Sequence, residues 1–357
     1  MRNSNLICAS SCSVNASLSS RRFTYYSVIT FFVISGFLIT SLSLHRWGSL
    51  ERIPLRRFYR LRGARILPCL LLLLAVLSVL HVAGASDFII KPEQTSLDRA
   101  LAAALSFHLN WLEGQRGYLP ANWDVLWSLS VEETFYVLFP LMCLILRDER
   151  WIMICIGALI AIGPFDRMAN TGRSPWDEYA YLSCTDGIAF GCIAAWATAR
   201  VRLSRPVLRG AMALGVVAAT AIVVFRKQAA DLGVMRAGLD ITILEVGIAL
   251  ILMAVARGVG DATLSRGTAL LQLVGRCSYE IYLTHMFVVL GLMHPFRHLF
   301  GATPTASSAY PVTYVIMLVL SVLLGYAVER FFSDPLNKAL RGNYAGRVAR
   351  LPESDAA

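Results

Sequence analysis

The chain is short of charge. Only 16% of its 357 residues are Asp, Glu, Lys or Arg, while 56% are hydrophobic. A soluble domain carries about 25% charged and about 45–50% apolar residues. That shortage excludes an ordinary water-soluble domain and reads as a polytopic membrane protein. Metal-ligand patterns are missing too: Cys8 and Cys12 have no matching Cys/His pair to complete a zinc site. Cys69, Cys143, Cys155, Cys184, Cys192 and Cys277 lie in or beside apolar runs, where free Cys acts as a small hydrophobe, so no disulfide framework is assigned. No internal repeat is evident, and the last 25 residues are too few for a second core. Residues 1–24 are polar and serine-rich, without an apolar core or an obvious cleavage site, and do not read as a signal peptide.

Acids are scarcer than bases, 23 against 33, for a net charge of +10. The arginines cluster in short loops between apolar runs, which fits the positive-inside rule better than nucleic-acid binding. Candidate spans are 28–44, 65–84, 128–146, 151–165, 181–199, 208–225, 239–257, 270–293 and 311–331. Most approach the roughly 20 residues that a crossing needs, and 151–165 is short. Residues 45–65 hold Arg46, Arg52, Arg56, Arg57, Arg60, Arg62 and Arg65 against Glu51 alone. Arg200, Arg202, Arg205 and Arg209 crowd a second loop, and Lys338, Arg341, Arg347 and Arg350 a third region. All three fall on the cytoplasmic side only if 99–112 does not cross.

The expectation is an all-α polytopic transmembrane helix bundle, with about nine crossings plus one re-entrant or interfacial helix. Residues 1–24 form a polar tail, disordered or a non-native start; 25–340 form the membrane domain; 341–357 form a cytoplasmic tail. The N-terminus then lies outside with Arg21 and Arg22 before the first span, an unfavourable arrangement that one more upstream helix would repair.

Four polar features interrupt the apolar runs. In "RIPLRRFYRLRGARILP", residues 52–68, a step of about 100° per residue puts Arg52, Arg56 and Arg60 on one helical face. Arg62 and Arg65 lie on the other side. Arginines at a helix start snorkel to lipid phosphates; a second pair is suited to gripping an anionic ligand such as nucleotide phosphates. In "WDVLWSLSVEETFYVLFPL", residues 123–141, Ser128, Glu132 and Tyr136 share one stripe, with Glu133 beside it. Paired carboxylates there suit either a helix N-terminus at the interface or a polar cavity that binds a sugar hydroxyl or orients a catalytic base. In "LVGRCSYEIYLTHMFVV", residues 273–289, Ser278, Glu280, Tyr282 and His285 interrupt a span, which marks a candidate functional site. In "CTDGIAFGCIAAW", residues 184–196, Asp186 stands near the outer end of a span, and Gly187 and Gly191 are a helix-packing signal. Gly36 in "TFFVISGFLITS", residues 30–41, permits close helix approach, and the Ser35 hydroxyl can bond across a helix or back to the backbone.

Together these segments resemble the acyltransferase-3 family of integral membrane acyltransferases, which includes bacterial O-antigen and other polysaccharide acetyltransferases. "FFVISGFLIT" is similar to its second-helix signature, and "FYRLRGARILP" to its Arg-rich segment ending in R-I-x-P. "WSLSVEETFY" is similar to W-S-L-S-V-E-E-Q-F-Y with Thr134 where Gln is usual, and "GRCSYEIYLTH" to G-x-x-S-Y-x-x-Y-L-x-H. "VERFFSDPL" is a looser match to the closing E-R-P segment.

The resemblance implies a reaction. Acetyl, or another acyl group, passes from acyl-CoA on the cytoplasmic side to a hydroxyl of a cell-surface or lipid-linked glycan, with acyl-CoA as co-substrate and no bound cofactor or metal. It implies a bacterial inner-membrane location with a cytoplasmic C-terminus. Arg57, Arg60, Arg62 and Arg65 are candidates for the acyl-CoA phosphates. Ser128, Glu132, Glu133 and His285 are catalytic candidates. Trp127, Tyr136, Asp186, Tyr279 and Tyr282 are candidates for binding the acceptor. One departure stands out: family members begin with a helix carrying Arg and, about ten residues on, a His. No residue before His45 is His. The expectation is therefore a chain missing that first helix, or a catalytically impaired relative, with little activity by itself. A transporter of lipid-linked saccharide is the competing class, and a non-catalytic binder of acyl donor or glycan the third.

Overall fold

The computed structural model describes residues 4–259, 268–300 and 309–341, with side chains from Tyr25 onward except at 268–270, 297, 299, 300, 309 and 310. The reading of 1–24 as a polar tail, and that of 341–357 as a cytoplasmic tail beyond Arg341, fall outside the described side chains. Every long element is a helix. Among the described residues, eight are long and apolar enough to cross a membrane: Tyr25–Trp47, Leu55–Val82, Ala121–Leu146, Glu149–Asn170, Trp176–Arg200, Arg205–Val224, Leu239–Ala256 and Pro311–Arg341. The chain is an all-α helix bundle of the integral membrane type.

Local chemistry explains several boundaries. Ile53 and Pro54 are extended, and Pro54 caps the Leu55–Val82 helix. A residue before Pro is pushed out of the α region, so Arg52 falls in a separate 3₁₀ turn, Leu50–Arg52, and does not share a helical face with Arg56 and Arg60. Residues 99–112 are not one helix. They divide between Leu97–Leu105 and Leu109–Arg116, with Phe107 between them at φ 56°. At 1.5 Å per residue neither piece approaches a bilayer's thickness, so this segment does not cross as one helix. The short span read at 151–165 is a full helix, Glu149–Asn170, continuing through Pro164, Asp166 and Arg167. The region 270–293 is broken at Cys277, between Thr268–Arg276 and Ser278–Phe300, and is not among the eight apolar helices. Its polar residues Glu280 and His285 lower its hydropathy.

The chain divides into two compact units: residues 1–53, 110–117 and 128–263, and residues 54–109, 118–127 and 264–357. In the first, the Tyr181–Arg200 helix packs on Ser4–Trp47, Glu149–Asn170 and Leu239–Ala256, and the last of these packs on Arg205–Val224. Small residues set the spacing. Gly36 lies so close to Ile188 that a Cβ there would stand 2.7 Å from the Ile188 carbonyl carbon. A Cβ on Gly191 would stand 2.6 Å from the Phe37 nitrogen, and one on Gly247 2.9 Å from the Gly215 carbonyl oxygen. Lipid is as apolar as Leu, so close backbone approach and packing, more than transfer from water, hold such helices together. Val33, Phe37, Ala194, Ala195 and Ala249 form the buried seam.

In the second unit, Leu55–Val82 packs on Glu329–Ser333 and Asp334–Arg341, and Ser278–Phe300 runs along Ala309–Val328. A Cβ on Gly325 would stand 2.7 Å from the Ile281 nitrogen. The chain turns from Val328 into Asp334 through a π-helical segment, Glu329–Ser333. Pro335 has no N–H to donate back to Phe331, and a wider turn absorbs that mismatch. Outside the spans, Phe88 stacks on Phe287 at 5.5 Å and His294 Nε2 lies 2.8 Å from Asp87 Oδ2.

Candidate functional site

In the first unit, the stripe read at 128–136 forms as a helix, Leu126–Leu146. Ser128, Glu132, Glu133 and Tyr136 are all buried. Tyr136 Oη donates to Glu132 Oε1 at 2.5 Å, one helical turn away. The Ser35 hydroxyl, from Ser4–Trp47, reaches the same carboxylate and the same phenol. Ser35 sits beside Gly36, so the contact that draws its helix onto Tyr181–Arg200 also sets the position of this hydroxyl. Of the two options for Ser35, bonding across helices is the one realised. Two neutral donors on one carboxylate give a fixed, buried, hydrogen-bonded group.

A second buried polar group lies in the same unit. Arg167 is 5% exposed and donates from Nη1 to Asp186 Oδ2 at 2.6 Å and to the Ser183 carbonyl at 2.9 Å. Its Nε donates to the Gly238 carbonyl at 3.1 Å, and its Nη2 to Thr242 Oγ1 at 2.7 Å. Glu245 Oε2 lies 4.0 Å from Nη2. Asp186, read from the sequence as an acceptor-binding candidate, is thus held by an ion pair. Arg167, Asp240 and Glu245 were not singled out in the sequence. The available signal was an Arg and two carboxylates inside or at the edge of apolar runs, where each is costly unless matched.

In the second unit, Arg65 Nη2 donates to the Arg276 carbonyl at 2.7 Å and pairs with fully buried Glu280 at 3.5 Å. The sequence placed these residues in separate motifs, and the fold joins them. Arg62 is half-buried on the same helix, and Arg57 and Arg60 are exposed. Tyr279 Oη donates to the Ile66 carbonyl at 3.0 Å and Tyr282 Oη to the Val125 carbonyl at 3.1 Å, so both brace neighbouring segments. His285 Nδ1 lies 2.7 Å from the Tyr282 carbonyl. A carbonyl only accepts, so in the neutral ring Nδ1 carries the hydrogen and Nε2 keeps its lone pair. Trp127 is buried at the start of Leu126–Leu146. Asn122 Nδ2 donates to the Leu283 carbonyl at 2.7 Å, fastening the 121–123 turn to the helix that carries His285.

A family model described as an acyltransferase domain matches residues 10–330. That interval contains every candidate residue named above. Among characterised proteins, O-acetyltransferase OatA of Staphylococcus aureus strain NCTC 8325 is 34% identical over 128 residues, which is 33% of this chain and 20% of the relative. The same protein of strain COL matches to the same extent. The matched segment thus spans about a fifth of the length of these relatives. No solved structure is significantly similar.

Proposed function

The chain belongs to the acyltransferase-3 family, and from that premise we propose that it moves an acyl group, acetyl in the simplest case, from acyl-CoA to a hydroxyl of a cell-surface or lipid-linked glycan. The observation that carries this reading is the match across residues 10–330, which takes in all of the polar segments at once. Exposed Arg57 and Arg60, with half-buried Arg62 and Arg65 further along the same helix, supply cations for the acyl-CoA phosphates. Glu280 and the Arg276 carbonyl hold Arg65 in one orientation. In the first unit, the buried Ser35, Ser128, Glu132, Glu133 and Tyr136 supply hydrogen-bonding partners for sugar hydroxyls. Asp186 is committed to Arg167 and supports this region from within its ion pair.

The acceptor oxygen bonds to the acyl carbon as the C–S bond breaks. The hydroxyl proton passes to a general base, a part for which His285 Nε2 has the free lone pair, and from the base to solvent, while CoA leaves as a thiolate that takes up a proton from solvent. Tyr282 fixes the ring orientation through its carbonyl. The positive-inside distribution supports an inner-membrane protein with the Arg-rich segment and the C-terminus in the cytoplasm.

The test uses membranes carrying this chain, supplied with labelled acetyl-CoA. The expected outcome is base-labile label in the glycan fraction, lost in His285→Ala. Label recovered only as free acetate or acetyl-CoA overturns the proposal. Binding of acyl-CoA without transfer identifies the impaired relative.

A further inference from the structure

The Arg167 cluster holds more acid than base. Asp186 and Glu245 are both 0% exposed and Asp240 is 1% exposed, against a single guanidinium. Asp240 is accounted for: it accepts from Tyr26 Oη at 3.0 Å and lies in the first turn of Leu239–Ala256, where the helix dipole favours an anion. Asp186 also has the partners of a carboxylate, Arg167 Nη1 at 2.6 Å and the Gly187 N–H at 3.1 Å. Glu245 does not. Neither of its oxygens has a hydrogen-bond partner among the described residues. Its carboxyl shares one guanidinium with that of Asp186: Glu245 Oε2 stands 4.0 Å from Arg167 Nη2, and Asp186 Oδ2 stands 2.6 Å from Arg167 Nη1. A bare carboxylate one or two turns inside a membrane bundle costs several kcal/mol.

The surroundings are built around these groups. A Cβ on Gly163 would stand 2.8 Å from the Asp186 Cβ and closer still to its carboxyl. A Cβ on Gly187 would stand 3.0 Å from Glu245 Oε1. Gly238, at φ 64°, turns its carbonyl onto Arg167 Nε. Three glycines therefore leave room for the carboxyls and the guanidinium and for little else. Among the described residues no group of three or more His, Cys, Asp or Glu is arranged to hold a metal ion. The titratable and charged groups around Glu245 are Tyr25 and Tyr26 of the first helix, Asp166 and Arg167 of Glu149–Asn170, Cys184 and Asp186 of Tyr181–Arg200, and Asp240 of its own helix. Asp166 accepts from Ser183 and Cys184 lies 3.7 Å from Tyr25.

We propose that Glu245 and Asp186 form a buried proton-binding site, in which Glu245 is the carboxylic acid, its O–H donates to the Asp186 carboxylate, and Arg167 balances the remaining charge. The ligand is a single proton. One proton supplies the missing hydrogen bond of Glu245, and it fits where a hydrated cation does not. Its loss leaves two adjacent carboxylates against one guanidinium, so the bundle is held together below the pH at which the proton leaves and loosens above it.

The experiment uses the purified full chain in lipid nanodiscs. Infrared spectra across a pH titration report the carboxylic-acid C=O stretch, and thermal unfolding is followed at each pH. The wild type is expected to show one acid equivalent per chain that is absent in Glu245→Gln and unchanged in Asp166→Asn. Its melting temperature is expected to fall as that band is lost at high pH. Glu245→Gln, whose amide N–H can donate to Asp186 as the acid does, keeps its melting temperature across the same range. Three results overturn the proposal. The first is the same acid band in wild type and Glu245→Gln. The second is unfolding of Glu245→Gln at neutral pH with no titrating band in the wild type, which makes Glu245 an ionised partner of Arg167. The third is a high-pH wild type stabilised by sodium but not by choline, which makes the ligand a metal cation.

Discussion

Replacing Gly36 by Ala adds one methyl group at the tightest helix contact of the first unit. The new Cβ would stand 2.7 Å from the Ile188 carbonyl carbon and 3.0 Å from its Cα. Carbon atoms in contact rest about 3.5–4.0 Å apart, so the two helices must part by about 1 Å. The neighbours offer no slack: Ile29, Phe32, Val33 and Ile188 are fully buried, and Gly191 is already against Phe37. Overpacking of this kind costs about 1–3 kcal/mol. A second cost follows, because Ser35 moves with Gly36 and its hydroxyl bonds the Glu132 carboxylate. Losing a hydrogen bond to a charged group costs about 1.5–3 kcal/mol. The assay is the temperature at which the detergent-solubilised chain loses its monodisperse peak. Gly157→Ala is the matched control, since it makes the same chemical change in a helix where a Cβ meets nothing within 4 Å. Helix propensity alone makes that control neutral or more stable by up to about 1 kcal/mol. Gly36→Ala is expected to melt several degrees below both wild type and control. Equal melting temperatures for the two variants would refute the reasoning, because the contact would then carry no packing cost.

Three further outcomes concern the proposed reaction. Arg65→Lys keeps the charge but loses the guanidinium N–H groups left over once Nη2 is engaged by the Arg276 carbonyl and Glu280, so the KM for acetyl-CoA should rise about 10–100-fold, the equivalent of one charge-assisted hydrogen bond; an unchanged acyl-CoA titration counts against that role. Tyr136→Phe removes a donor from Glu132 and should raise the KM for the glycan acceptor while leaving that for acetyl-CoA alone. A Ser35→Ala/Tyr136→Phe double variant should cost less than the two single effects combined, since both hydroxyls serve one carboxylate; strict additivity would show that they act separately.

Much of the bundle was legible because membrane-spanning helices announce themselves by length and apolarity. The misread boundaries have specific causes. The 151–165 span looked short because Asp166 and Arg167 ended the apolar run, yet the helix continues to Asn170, since Asp186 neutralises Arg167 and Ser183 donates to Asp166. Arg52 was set on one face with Arg56 and Arg60 because a periodicity argument takes the helix as unbroken, and the Ile53–Pro54 step breaks it. The i, i+4 relation of Glu132 and Tyr136 needed only helical geometry and was readable in advance. The arrival of Ser35 at the same carboxylate was not, because 97 residues separate it from Glu132.

The sequence by itself determined the class of molecule, the loops that carry positive charge, and the polar segments that join this chain to the acyltransferase-3 family. Those properties depend on composition, short-range periodicity and motif order, all local along the chain. The tertiary structure alone decided which polar residues meet: Arg65 with Glu280, Ser35 with Glu132, and Arg167 with Asp186 and Glu245. Each pairing depends on helices distant in sequence packing side by side, and within the first unit glycines at 36, 163, 187, 191 and 238 set how closely they do so. A residue's charge is written in the sequence; the partner that makes the charge tolerable inside a membrane is chosen by the fold.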